Sequence, residues 1–160
     1  MTRRPLVVVG LVLALALPNL AIVRKERTLA SGTPMLLELA PVDPRSLMQG
    51  DYMRLDYALT RALGTADGWP RDGRLVVVLD SVGIARFVRR EEGNHPVAPG
   101  ERLLQYHRRG GRIRVGSDAF HFQEGLARRY ATARYGELRV DDAGESVLVG
   151  LRSAGLVPLR

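Results

Sequence analysis

A mostly antiparallel β domain of the α+β class, behind a single N-terminal transmembrane helix, is the architecture this chain predicts. Three observations predict it. An uncharged apolar run, Pro5 to Val23, opens the chain. Short apolar stretches then alternate with turn-forming Gly, Pro and Asp residues. Only one later stretch has helical spacing. About eight strands and one helix follow, closing as an open sandwich or barrel-like sheet.

Residues 1–4 form a short N-terminal tail carrying Arg3 and Arg4. Residues 5–23 come close to the roughly 20 apolar residues that cross a bilayer as a helix. Ala14-Leu15-Ala16 has the pattern of a signal-peptide cleavage site, but the apolar run continues past it to Val23, which favours an uncleaved anchor. Pro18 kinks such a helix without forbidding it. Arg24, Lys25 and Arg27 balance the positive charge across the span. The short leading tail favours an inside amino terminus and an outside domain. Residues 24–32 are polar and read as a linker.

One domain occupies residues 33–152, followed by a C-terminal tail, 153–160. The first strand is MLLELAPV, Met35 to Val42, ended by Pro41 and Pro44. Asp43 to Ser46 is a turn. In DYMRLDYAL, Met53, Leu55, Tyr57 and Leu59 alternate with Tyr52, Arg54, Asp56 and Ala58. A period of two describes a half-buried antiparallel strand. RLVVVLD, Arg74 to Asp80, is a central strand with GIARFVRR as its hairpin partner. Gly110-Gly111 joins RLLQYHRR to RIRVG as a second hairpin. AFHF places Phe120 and Phe122 on one side and His121 on the other. Leu126, Tyr130 and Ala133 predict a helix over 124–135. ELRV, the turn Asp141 to Gly144 and ESVLVGL make the last hairpin.

Composition excludes several function classes. Among the 160 residues there is no cysteine, so disulfides, thiolate metal sites and cysteine nucleophiles are absent. The net charge of +7 is almost all arginine. It is interleaved with acids rather than gathered with stacking aromatics, so nucleic-acid binding is not expected. The pairs Arg89–Arg90, Arg108–Arg109 and Arg128–Arg129 read as solvated edges. His121 and Glu124, three apart, fall short of the three or four ligands of a metal site, and no metal or other cofactor is expected. No phosphate-binding glycine loop is present. Asp51 and Asp56 have odd spacing, which points them to opposite faces of a strand and argues against a carboxylate dyad. Ser46 precedes Gly50-Asp51 in the manner of serine–lysine peptidases, but Lys25 is the only lysine and sits beside the apolar span.

Gly50, Asp51, Tyr52, Leu55 and Tyr57 satisfy G-D-Y-x-x-L-x-Y without a mismatch. With the proline-rich lead-in PVDPRSLMQ, the segment AFHFQEG and the closing ESVLVGL, the chain resembles the GDYXXLXY family of bacterial membrane-anchored proteins over residues 5–152. Gln123 stands where the family pattern has proline. The resemblance implies a protein of the bacterial inner membrane with no assigned activity, a frequent neighbour of multi-pass membrane proteins. It carries over no catalytic residues.

The expected function is therefore a non-enzymatic, membrane-anchored accessory module for a multi-pass membrane partner, its domain on the periplasmic side. The candidate contact residues are Gly50, Asp51, Tyr52, Arg54, Leu55, Asp56 and Tyr57. A secondary motif comprises Phe120, His121, Phe122, Glu124 and Gly125. Structurally, Gly50-Asp51 is a turn and Tyr57 a core residue, and Arg54 and Asp56 are spaced to pair with one another. The alternatives are an anchored hydrolase using Ser46 or a carboxylate, and an envelope lipid- or glycan-binding domain.

Overall fold

The computed structural model describes residues 4–40, 52–93 and 95–159. Helix α1, Arg4–Ser31, contains Pro18. Val7–Ser31 is long and apolar enough to cross a membrane, and none of its apolar window is buried in the protein. The helix does not stop at Val23. The polar residues 24–31, read above as a linker, continue it because they find partners on the domain. Lys25 Nζ lies 2.7 Å from Glu145 Oε1. Thr28 is buried, with its Oγ1 3.3 Å from Asp141 Oδ2. Gly32 then turns the chain directly into the first strand. A Cβ there would come within 3.0 Å of the Val140 backbone, so only glycine allows this approach.

Ten strands follow among the described residues, mostly antiparallel: β1 Thr33–Glu38, β2 Tyr52–Arg54, β3 Asp72–Leu79, β4 Ala85–Arg90, β5 Glu101–Arg109, β6 Arg112–Val115, β7 Ala119–His121, β8 Ala133–Val140, β9 Ser146–Ser153 and β10 Pro158–Leu159. They form sheets of order β1-β8-β9-β10, β4-β3-β5-β6 and β2-β7. The two larger sheets join into a curled half-barrel. Leu36 makes a parallel bridge to Ile84, just before β4. The turn between β8 and β9 reaches across to β5, where Gln105 N donates to Gly144 O at 2.8 Å. Met35, Leu37, Leu75, Val77, Leu104, Tyr106, Leu138 and Leu151 fill the concavity as part of one core. Trp69 packs on Tyr106 with ring centroids 5.5 Å apart, and the Arg90 guanidinium lies 5.3 Å over the Trp69 ring.

The three predicted hairpins form. Gly110 and Gly111 take φ of +58° and +76°, the left-handed pair that a tight two-residue hairpin turn requires. Asp80 and Asp141 hold the other two turns. Each carboxylate accepts two backbone N–H groups, from Val82 and Ile84 and from Ala143 and Glu145.

Three local expectations change. The strand expected to reach Leu59 leaves its ladder after Leu55, and helix α2, Ala58–Ala62, follows. Ala58, Leu59, Arg61 and Ala62 are good helix formers, and extended Tyr57 precedes them. The helix expected over 124–135 shrinks to one turn, α3, Ala127–Tyr130. Ala133 and Tyr135 belong instead to β8, where β1 and β9 supply a ladder on each side. The tail expected after residue 152 folds back as β10 on β9, and ten strands form among the described residues where about eight were expected. The expected strand MLLELAPV forms as β1 up to Glu38. Its end at Pro41-Val42, and the turn Asp43 to Ser46, lie outside the described residues.

Candidate functional site: a motif ribbon beside an arginine cleft

The two motif segments, far apart in sequence, pair with each other. Tyr52, Met53 and Arg54 of β2 face His121, Phe120 and Ala119 of β7 in antiparallel register. Leu55 N extends the ladder to Asp118 O at 2.9 Å.

The alternation read from the sequence holds through Tyr57. Met53, Leu55 and Tyr57 are each only 3% exposed. Tyr52 and Asp56 are half-buried and Arg54 is exposed on the opposite face. Tyr57 donates its hydroxyl to Ser117 O at 3.1 Å. Burial, reinforced by the nearby Asp118 charge and opposed by that hydrogen bond, pushes its phenol well above the ordinary value. A neutral buried phenol is a packing and hydrogen-bonding group. Its ring lies over Gly136, where an added Cβ would come within 3.1 Å of it.

The secondary motif divides by face. Phe120 and Phe122 both pack against Tyr130 of α3, Phe120 edge-on and Phe122 tilted, each with ring centroids 5.1 Å apart. His121 is exposed and meets Tyr52 across the ribbon, 5.7 Å between ring centroids. Glu124 and Gly125 are exposed in the turn before α3, Gly125 with φ of +85°. Among the described residues no three His, Asp or Glu side chains converge as a metal would require. Gly50, Asp51 and Ser46 lie outside the described residues.

Arg54 and Asp56 open onto a cleft of about 450 Å³ between β2, α2 and β6. The expected Arg54–Asp56 pair does not form. Asp56 Oδ2 instead accepts from Arg61 of α2 at 3.1 Å, because the helix brings Arg61 back over the strand end. Arg112 and Arg114 of β6, two apart and so on one face, supply the opposite wall. Arg114 is held by Asp118 at 3.3 Å. Thr65 is joined to Arg112 by a backbone bridge. Sequence reasoning missed Arg61, Arg112 and Arg114. The arginine alternation in RIR was visible, but its place opposite the motif strand was not.

A second groove, about 380 Å³, borders α1 and is lined in part by Lys25, Ser117, Phe120, His121, Ser146 and Leu148. It lies against the ribbon's His121 end.

The chain matches the GDYXXLXY protein family over residues 14–151. It belongs to the GDYXXLXY family. The family match thus takes in both ribbon strands, the arginine cleft and the second half of α1, and leaves out β10. Neither the curated proteins nor the solved structures contain a match to the chain.

Proposed function

We propose that this GDYXXLXY protein is a single-span, membrane-anchored accessory module of the bacterial inner membrane. Its β domain lies on the periplasmic side and docks, without catalysing a reaction, against a multi-pass membrane partner. One observation carries the reading: α1 enters the domain without a flexible break. Lys25 and Thr28 reach the β8–β9 turn, and Arg139 Nη1 donates to Gly32 O at 3.1 Å just past the helix end. A domain clamped to its anchor is held at one height and orientation above a bilayer. That restraint favours lateral docking on another membrane protein, because less orientational freedom is lost on binding. Half-buried Tyr52 and exposed Arg54 and His121 of the ribbon are the contact face.

The test is cross-linking in mild-detergent membranes, followed by affinity capture and mass spectrometry. A stoichiometric multi-pass protein is expected, lost in an Arg54→Glu variant whose unfolding temperature is unchanged. Capture that is indifferent to Arg54→Glu removes the ribbon from the interface, and a protein that runs alone ends the reading.

The hydrolase alternative requires a base for Ser46, and Lys25, the one lysine, is engaged by Glu145 at the foot of α1. Stoichiometric labelling of Ser46 by a fluorophosphonate would establish the hydrolase instead. The lipid-binding alternative draws on the groove beside α1, where Phe120 and Leu148 offer apolar surface next to Lys25.

A further inference from the structure

We infer that the cleft between β2, α2 and β6 is a binding site for a phosphate-bearing anion. The inference stands on the cleft's own charge and does not need the partner.

Its described lining holds four guanidiniums, Arg54, Arg61, Arg112 and Arg114, against one carboxylate, Asp56. The arginines of the β3–β4 face are each balanced by an acid: Arg74 meets Glu91, Arg86 meets Glu38 and Asp80, Arg89 meets Glu101 and Arg90 meets Glu92. In the cleft, Asp56 is engaged by Arg61, and Arg114 leans on Asp118. Arg54 and Arg112 have no ion pair among the described residues.

Folding does not require this surplus. Arg54 and Arg112 are exposed, and a neutral polar residue would serve either strand face as well. Like charges facing one concavity repel, and a concave wall focuses their field. An anion in the cleft removes that repulsion. Guanidinium forks match phosphate oxygens in a bidentate geometry. Asp56 and Asp118 pre-orient two of the four, which lowers the ordering cost of binding.

The lining also restricts the ligand class. No aromatic side chain lines the cleft among the described residues, so a nucleobase has no ring to stack on. Thr65 adds a hydroxyl at the rim. A volume of about 450 Å³ exceeds what one phosphate fills and lies within the usual range of small-molecule sites. Pyrophosphate, or a phosphate within a lipid headgroup, has the required chemistry.

The experiment uses the full chain in neutral phosphatidylcholine nanodiscs, titrated with sodium pyrophosphate by calorimetry. A parallel set of nanodiscs contains phosphatidylglycerol. Saturable binding is expected in the neutral discs, weakened about tenfold or more by Arg112→Gln. Arg86→Gln, on the balanced face, should leave the affinity unchanged. If phosphatidylglycerol discs compete with pyrophosphate, the physiological source is a lipid headgroup; if they do not, it is a soluble phosphate compound. Absence of saturable binding in the neutral discs, or equal affinity in Arg112→Gln and wild type, overturns the site. Both side chains are exposed, so unchanged unfolding temperatures should accompany each variant. No partner is measured, so this failure leaves the accessory reading standing.

Discussion

Tyr57 shows how one motif position divides between packing and chemistry. Its ring is buried beside Gly136, and its hydroxyl supplies a donor to Ser117 O. Replacing it by phenylalanine keeps the ring and strands that acceptor, so Tyr57→Phe should cost about 1 kcal/mol in chemical denaturation. The raised phenol pKa fixes the sign of a pH effect. A group whose folded pKa lies above its unfolded value contributes stability that is fully present below the unfolded pKa, near 10 for tyrosine. That contribution is lost as pH rises from about 10 towards the folded value. Wild type should therefore lose stability more steeply than Tyr57→Phe above pH 10 in unfolding titrations, and parallel curves would contradict the assignment. The inward positions Met53, Leu55 and Tyr57 were legible as an alternation. Asp56 was not: its partner Arg61 depends on a helix that begins only after Tyr57.

At the scale of the element, turn chemistry was readable and element length was not. The β8–β9 turn is set locally by Asp141, yet its Gly144 also presses on β5. An added Cβ would approach the backbone of Leu103, Leu104 and Gln105 to 3.0–3.1 Å, at φ of +86°. Strain and collision act together, so Gly144→Ala should destabilise the domain by about 2–3 kcal/mol in thermal or chemical unfolding. A loss below about 0.5 kcal/mol would show that the turn is free to lift away from β5. Helical spacing at Leu126, Tyr130 and Ala133 was a true local signal, but Ala133 gains more from pairing in β8 than from another helical turn. Polar residues 24–31 remained helical for a converse reason: the domain supplies partners that a free linker would lack.

For the whole molecule, the relation of the N-terminal helix to the domain is the governing feature. Lys25–Glu145 is about half exposed on the lysine side, so the pair itself should contribute only about 0.2–1 kcal/mol. Lys25→Glu should weaken the helix–domain junction, and the exchange Lys25→Glu with Glu145→Lys should restore it, as read by protease cleavage near Ser31. Cleavage that ignores both variants would mean that Thr28 and Gly32 hold the junction alone. Orientation follows the proposed topology. A C-terminal alkaline phosphatase fusion should be active and a C-terminal green fluorescent fusion dark, with the reverse pattern placing the domain in the cytoplasm.

The apolar span, the strand alternation and the three hairpin turns are local codes, written in residues a few positions apart, and the sequence by itself determined them. The eight motif residues likewise carried the family. Tertiary structure decided which strands became neighbours. It paired β2 with β7, curled two sheets into one half-barrel and set Arg54 across a cleft from Arg112 and Arg114. These contacts join distant positions whose local preferences are silent about one another. They form only where burial of the common core offsets the entropy of closing the loops between them.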